Sequence, residues 1–152
     1  MHGLARSRDL RRGRFSEEGR PYLLTLCTAQ RNPVFASWKL GRVVVNEMRA
    51  VESRGYLESL AWVIMPDHLH WLIVLQKPAL ENTVRDFKSS TARQVNRMRE
   101  TTGALWQAGF HDHAVRRDED IQALARYIVA NPLRAGLVSR VGDYPLWDAV
   151  WL

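Results

Sequence analysis

Apolar residues along the chain form two kinds of pattern: short runs typical of strands, and positions spaced three and four residues apart, typical of helices. The two patterns alternate several times along the chain. Residues 22–28 read Tyr-Leu-Leu-Thr-Leu-Cys-Thr and lie between Pro21 and Asn32-Pro33, which is typical of a first strand. Residues 38–54 carry apolar side chains at helical intervals of three and four, and Gly55 follows as a C-terminal stop signal. The apolar positions of this predicted helix are Leu40, Val43, Val44, Met48 and Val51.

The most apolar part of the chain comprises residues 56–65 and 68–75, which are separated only by Pro66-Asp67. A proline-led turn this short requires the two segments to pair as antiparallel strands. His68 and His70 lie on the second strand. Because successive strand side chains point to opposite faces, both histidines project from one face and Leu69 points into the core.

A second helix is predicted over residues 83–99, where Thr83 and Asp86 have the spacing of a capping box. Its outer face is basic and polar, a composition from which we expect phosphate contacts, although a solvated helix face has the same composition. The predicted inner face consists of Val84, Phe87, Thr91, Val95 and Met98. The predicted outer face carries Arg85, Lys88, Arg93 and Arg97, with Ser89 and Asn96 between them.

The last third of the chain predicts a fourth strand around residues 109–113, with apolar pairs at 105–106 and 114–115 beside it. Asp118 is the expected N-cap of a third helix that ends near Asn131-Pro132. The tail, residues 133–152, contains Trp147 and Trp151 and is expected to pack back on the body.

The order strand, helix, strand, strand, helix, strand predicts an α+β fold. It is the order of a ferredoxin-like domain, an antiparallel sheet with helices on one face, here followed by a C-terminal helix and tail. This architecture supports many activities, so the function has to be inferred from the site.

The chain has 152 residues, enough for one domain, which we place at residues 21–152. Its single cysteine, Cys27, excludes an intramolecular disulfide and fits a reducing compartment. The sequence has neither the apolar length of a membrane span nor the apolar core of a signal peptide, so we expect a cytoplasmic protein.

Positive charge dominates the surface chemistry, with a formal net charge of +6 and a pI near 10.1. Most of the basic residues are arginines, whose forked donors suit phosphate groups. Residues 1–20 contain six arginines, Arg14 among them, and few apolar side chains, so we expect a flexible basic arm there.

The first candidate site is the pair His68 and His70, because two imidazoles in so apolar a run are costly unless they have a role. Two ring nitrogens on one face could hold a divalent metal. The alternative is a hydrogen-bonded pair in the core. His111 and His113 repeat the spacing, but their polar surroundings favour exposed or hydrogen-bonding side chains over a second metal site.

Tyr127 and Asn131 form the second candidate site, since they lie one helical turn apart on the flank of the third predicted helix. A phenol at the edge of the apolar stripe could overlook a cleft and act as a nucleophile, although the position taken alone favours a purely structural tyrosine. The apolar stripe itself consists of Ile121, Leu124, Ala125 and Ile128.

A metal at the two histidines would polarise a phosphodiester that the phenol attacks. Two imidazoles leave the coordination sphere incomplete, and the amide oxygen of Asn131 could supply a third ligand, with magnesium or manganese as the expected ion. Asn131 also precedes Pro132, so its side chain could instead cap the end of the helix.

The segments 65–70 (Met-Pro-Asp-His-Leu-His) and 127–137 (Tyr-Ile-Val-Ala-Asn-Pro-Leu-Arg-Ala-Gly-Leu) resemble two motifs of one family. They are similar to the metal motif and the catalytic-helix motif of the REP-associated tyrosine transposases, which belong to the HUH single-tyrosine nucleases and transposases. Residues 87–89 and 105–107 are also similar, so the resemblance spans about residues 22–138. Related insertion-sequence enzymes place a glutamine where this chain has the shorter Asn131.

The resemblance implies a transposase that nicks and joins single-stranded DNA at imperfect-palindrome hairpins. Tyr127 would be the nucleophile, forming a 5′-phosphotyrosine, and His68, His70 and Asn131 would hold Mg²⁺ or Mn²⁺. We expect Arg14, Lys88, Arg93 and Arg134 to contact DNA. The protein would be bacterial, cytoplasmic and nucleoid-associated, acting as a monomer or weak homodimer.

Two other functions remain open at this stage. The first is a non-catalytic module that binds hairpin DNA through its basic surface. The second is a metal-dependent phosphodiesterase that uses activated water in place of Tyr127.

Overall fold

A computed structural model of the protein describes residues 16–116 and 119–151. None of the helices in this part of the chain has the length and apolar character needed to cross a membrane. The elements in chain order are β1 (Pro21–Cys27), α1 (Trp38–Ser53), β2 (Leu57–Met65), β3 (His68–Leu75), α2 (Leu80–Arg99), β4 (His111–Ala114), α3 (Ile121–Val129), α4 (Asn131–Arg134) and β5 (Trp147–Ala149), with 3₁₀ turns at Ala29–Arg31, Val34–Ala36 and Val141–Asp143.

The strands of the described chain form one antiparallel sheet in the order β4-β1-β3-β2-β5. The first four strands have the predicted ferredoxin-like arrangement, and the fold class is confirmed. Strand β5 comes from the tail and pairs with β2, so the predicted packing of the tail on the body is also confirmed.

The two long helices, α1 and α2, cover one face of the sheet. Helix α1 begins at the N-cap Ser37, whose hydroxyl accepts a hydrogen bond from the Leu40 amide. On the sheet, the Trp71 ring lies 5.1 Å from that of Phe87 on α2. Residues that point to this face include Leu24, Leu26, Leu69, Trp71 and Ile73, all fully or almost fully buried. This face therefore holds the larger part of the core.

Two predicted helix starts are wrong. Helix α2 begins at Leu80, and Thr83, the predicted cap, is a buried residue inside the first turn. The Leu80 amide donates to the Ser16 hydroxyl at 3.0 Å, so a residue distant in sequence replaces the local capping box. Helix α3 is capped by Asp120, whose carboxylate accepts from the Ala123 amide, and the predicted cap Asp118 lies outside the described residues.

The predicted faces of α2 are correct except at one end. Four of the five inner residues are buried, whereas Met98 in the last turn is 43% exposed. The apolar stripe that packs on the sheet therefore ends before the last turn of α2.

Residues 16–20, at the end of the predicted flexible arm, are hydrogen-bonded to the domain. The Gly19 amide donates to the Leu75 carbonyl, and the Leu75 amide donates to the carbonyl of Arg20. The Glu17 amide donates to the Tyr22 hydroxyl. Residues 16–20 are therefore part of the folded body and do not form a flexible arm. Arg14 lies outside the described residues.

The tail is fixed by a close contact between Leu146 and helix α1. Leu146 is completely buried, and a methyl group added at Gly41 would lie 2.5 Å from its Cδ1 atom. The Tyr144 hydroxyl donates to the Ile64 carbonyl, and the Ile64 amide donates to the Leu146 carbonyl. Glycine at position 41 thus provides the space in which the tail packs.

Leu146→Ala is expected to lower the free energy of unfolding by about 2–5 kcal/mol, because a fully buried leucine is truncated without room for collapse. Urea denaturation followed by circular dichroism measures the loss. The matched control is Leu137→Ala, since Leu137 is 48% exposed and should change stability little. Equal losses for the two variants would contradict the inferred packing of the tail.

Candidate metal and nucleophile site

His68 and His70 project from the sheet face opposite α1 and α2. Their ring centroids are 4.8 Å apart and the rings are nearly perpendicular. Leu69 between them is fully buried on the other face, as strand alternation predicts. Both histidines are half-buried, so their rings line a partly open surface.

Each histidine uses its Nδ1 atom for a hydrogen bond within the protein. The Nδ1 of His68 lies 2.8 Å from Oδ1 of Asp67. The Nδ1 of His70 lies 3.0 Å from the hydroxyl of Thr25, its partner across strand β1. Hydrogen bonds of this kind orient metal-binding imidazoles, because they leave Nε2 as the ligand atom.

Asp67 links His68 to an arginine. Its second carboxylate oxygen, Oδ2, accepts a hydrogen bond from Nε of Arg31 at 3.0 Å. Partial burial alone would raise the pKa of Asp67, but the hydrogen bonds from His68 and Arg31 outweigh it and hold that pKa below the usual value. Asp67 is therefore an anion at neutral pH.

The tyrosine helix and the histidine strand meet at Asn131. The Nδ2 atom of Asn131 lies 3.4 Å from Nε2 of His68, across 63 residues of sequence. Asn131 is the first residue of α4 and follows Ala130, which is both the C-cap of α3 and the N-cap of α4. The structure therefore brings this amide beside His68, and its role as a metal ligand stays a prediction.

Tyr127 lies one turn before Asn131 and is 62% exposed. The guanidinium carbon of Arg134 is 3.8 Å from the centre of the Tyr127 ring. This is a close cation–π contact, which fixes the ring and places a positive charge beside the phenol. An exposed tyrosine held in this way does not contribute to the core. The apolar stripe of the same helix packs inward through Ala125 and Ile128.

Burial, together with nearby positive charges, keeps His70 neutral. Burial lowers its pKa, His68, Arg134 and Arg31 lower it further, and the result is about 4. A neutral imidazole has a lone pair available for a metal. Two oriented imidazoles and one amide form a donor set that fits a divalent cation whose remaining ligands are water or phosphate oxygens.

Comparison with known proteins places this chain in a family. The family model described as "Transposase IS200 like" matches residues 19–131. The chain belongs to the IS200-like transposase family. The family resemblance stated from the sequence is therefore confirmed, and the matched region includes residues 65–70 and 127–131.

Two curated relatives of this IS200-like transposase come from Escherichia coli strain K12 and Haemophilus influenzae. The first, a REP-associated tyrosine transposase, is 32% identical over 87 residues, which cover 56% of this chain and 50% of that protein. The Haemophilus influenzae protein, provisionally described as a REP-associated tyrosine transposase, is 31% identical over 116 residues. These cover 66% of each protein. The match thus spans half to about two thirds of the relatives' lengths.

Two solved structures share the fold of this IS200-like transposase. One is a REP-associated tyrosine transposase bound to a REP hairpin, with a TM-score of 0.74, 23% identity, and coverage of 88% of this chain and 79% of that one. The other is a transposase-like protein from Deinococcus radiodurans, with a TM-score of 0.55, 21% identity, and coverage of 78% and 95%.

The second histidine pair lies at the sheet edge and has other partners. His111 and His113 are exposed on β4, and Nε2 of His113 lies 3.0 Å from both carboxylate oxygens of Glu119. The expectation of exposed or hydrogen-bonding side chains is confirmed. Among residues 16–116 and 119–151, no three histidine, cysteine, aspartate or glutamate side chains are grouped as a metal site.

The residues predicted to contact DNA have different surroundings. Arg93 and Arg134 are exposed, on α2 and α4 respectively. The ammonium of Lys88 donates to the carbonyls of Gln107 and Gly109 at 2.7 and 2.8 Å, so this lysine also holds the segment that leads into β4. The contacts of these residues with DNA stay a prediction.

Three residues at the site were missed by sequence reasoning: Thr25, Arg31 and Asp67. Asp67 was interpreted only as part of a turn, although its position directly before His68 was a usable signal. Thr25 could have been found only from the register of β1 against β3. Arg31 had no signal in the sequence beyond its charge.

Proposed function

We propose that this chain is a metal-dependent endonuclease and strand transferase for single-stranded DNA, which acts at hairpins through a 5′-phosphotyrosine intermediate. The observation that carries the proposal is the approach of Asn131 to Nε2 of His68. Tyr127 lies on α3, four residues before Asn131, so this contact supports a nucleophile that works close to the histidine pair.

The choice of hairpin DNA as substrate is supported by the relatives. Those matched are REP-associated tyrosine transposases, and the solved structure with the higher TM-score holds a REP hairpin. The net charge of +6 favours a polyanion, and the exposed Arg93 and Arg134 offer guanidinium groups for its phosphates.

In this mechanism, the Nε2 atoms of His68 and His70 and the side-chain oxygen of Asn131 would hold Mg²⁺ or Mn²⁺. When bound, the cation would polarise a non-bridging oxygen of the scissile phosphate and stabilise the charge of the transition state. The hydrogen bonds from Asp67 and Thr25 keep the two imidazoles in the orientation that this role needs.

Cleavage exchanges one phosphate ester for another. The phenol oxygen of Tyr127 gives up its proton and attacks phosphorus, the new P–O(Tyr) bond forms, and the bond from phosphorus to the 3′-oxygen breaks. The departing 3′-oxygen takes up a proton and becomes a free hydroxyl. Arg134 holds the Tyr127 ring through its stacked guanidinium, which would also donate to an oxygen of the phosphate that the phenol attacks.

Joining follows the same path in reverse. A 3′-hydroxyl from another strand attacks the phosphotyrosine, forms a new phosphodiester and releases the phenol. Because the number of phosphoester bonds is conserved, no nucleotide triphosphate is consumed.

Incubation of the full chain with 5′- or 3′-labelled single-stranded hairpin DNA and Mn²⁺ tests this proposal. We expect a protein–DNA adduct that survives denaturing electrophoresis and carries the 3′-label, together with a released fragment that ends in a 3′-hydroxyl. Chelation of the metal with EDTA should suppress both products.

Two results would reject this function in favour of the alternatives. Hairpin binding without any adduct or cleavage under Mg²⁺ or Mn²⁺ would indicate a non-catalytic binding module. Cleaved DNA with no attached protein at any time point would indicate a phosphodiesterase that uses water.

A further inference from the structure

A continuous set of hydrogen bonds runs from Arg31 through Asp67 to His68. We propose that Asp67 and Arg31 are positioning residues, which fix the His68 ring in the tautomer whose Nε2 carries the lone pair that a metal would bind. The inference rests on the proposed function only for the identity of the ligand at Nε2. The tautomer itself is a property of the protein without metal.

The hydrogen bond at Nδ1 determines the tautomer. An ionised carboxylate can only accept hydrogen bonds, so Nδ1 of His68, 2.8 Å from Asp67, must carry the proton. In a neutral ring Nε2 then carries a lone pair. The Asn131 amide lies 3.4 Å from that atom with its Nδ2 facing it, an arrangement in which the amide donates to the lone pair.

Asp67 is on the wrong side of the ring to be a metal ligand itself. Its carboxylate faces Nδ1, whereas Asn131 faces Nε2, and the two ring nitrogens point in divergent directions. Asp67 therefore acts on the site through His68, as carboxylates commonly do behind metal-bound histidines.

Arg31 fixes the orientation of the carboxylate. Its Nε binds Oδ2 at 3.0 Å while Oδ1 is bound to His68, so both oxygens of Asp67 are engaged. A terminal nitrogen of the same guanidinium lies 3.7 Å from the Cys27 sulfur, which further restricts its position.

The backbone at Arg31 is strained. Gln30 and Arg31 have φ angles of 56° and 54°, in the left-handed region that residues with a Cβ atom rarely adopt. Two such residues in succession, where a side chain reaches the site, are typical of strain retained for a function.

The substitution Asp67→Asn separates a positioning role from simple packing, since it replaces one oxygen by an amide group of nearly the same shape. Arg31 can only donate, so it would hold the amide oxygen and turn the NH₂ group toward His68. That NH₂ group donates to Nδ1, which must then become the bare nitrogen. The proton moves to Nε2 and blocks the metal position.

The experiment is ¹⁵N NMR of the histidine rings in the metal-free full chain at pH 8, with the His68 signals identified by their loss in His68→Gln. We expect the Nδ1–H tautomer in the wild type and the Nε2–H tautomer in Asp67→Asn. A parallel Mn²⁺ titration followed by electron paramagnetic resonance should show about a 10–100-fold weaker affinity for the variant.

A double variant gives the sharpest test. In Arg31→Met/Asp67→Asn the amide is free to rotate and present its oxygen to Nδ1, so part of the wild-type tautomer and part of the Mn²⁺ affinity should return. A second mutation that restores what the first removed is not expected of residues that only stabilise the fold. The matched control is Asp86→Asn, an exposed aspartate beside Arg85 on α2, which should leave both readouts unchanged.

The inference is overturned if Asp67→Asn keeps the wild-type tautomer, or if the double variant is no better than the single one. Should Asp67→Asn not fold by circular dichroism, Asp67→Ala takes its place and is expected to give a mixture of tautomers; a pure Nδ1–H form there would also overturn it. Failure of the proposed function looks different, because the tautomers would behave as expected while the wild type failed to bind Mn²⁺.

Discussion

Tyr127→Phe is expected to abolish the covalent protein–DNA adduct and to reduce strand cleavage by at least about 10³-fold, because the variant lacks the nucleophilic oxygen. Hairpin affinity should stay within about twofold of the wild type, since the ring and its contact with Arg134 are retained. Denaturing gels measure the first effect and gel-shift titration the second.

Tyr56→Phe is the matched control for this prediction. Tyr56 is also exposed and also has a cation over its ring, the Lys77 ammonium at 5.1 Å, but it lies at the start of β2, away from the histidine pair. Its hydroxyl should be dispensable for adduct formation. An adduct that persists in Tyr127→Phe would show that the nucleophile lies elsewhere.

The double variant His68→Ala/His70→Ala is expected to lose Mn²⁺ binding to below detection and to lose cleavage with it. Both imidazole ligands are removed, and the amide of Asn131 alone cannot retain a divalent ion. Isothermal titration with Mn²⁺ in the absence of DNA measures the binding directly. His111→Ala/His113→Ala, the pair with the same spacing at the sheet edge, serves as control and should bind Mn²⁺ like the wild type.

The same titration measures how much Asn131 contributes to the Mn²⁺ affinity. Asn131→Ala should bind Mn²⁺ more weakly than the wild type and more tightly than the double histidine variant, since two imidazoles remain. If the double histidine variant kept wild-type affinity, the ion would be bound elsewhere. If Asn131→Ala bound as tightly as the wild type, Asn131 would not be a ligand.

Features that depend on local geometry were predicted correctly. The two-residue turn at Pro66-Asp67 permits only a hairpin, and β2 and β3 pair as expected. Strand alternation placed His68 and His70 on one face, and helical periodicity placed Tyr127 at the edge of the apolar stripe of α3. Each of these relations follows from dihedral angles within a few residues.

Features that depend on distant partners were predicted poorly. The start of α2 was assigned to a local capping box, while the structure uses the hydroxyl of Ser16, 64 residues away. Helical spacing placed Lys88 on the outer face of α2, but only the structure shows that its ammonium donates to two carbonyls of the segment before β4. A polar side chain looks the same in sequence whether its partner is water, DNA or a distant backbone.

The sequence by itself determined the fold class, the shared face of the two histidines and the family to which the chain belongs, because these follow from short-range periodicity and from contiguous motifs. The tertiary structure alone decided that Asn131 reaches His68 and that Thr25, Asp67 and Arg31 hold the imidazoles. Those contacts depend on strand register and on how α3 packs across the sheet. Many residues together set that packing, and no local pattern encodes it.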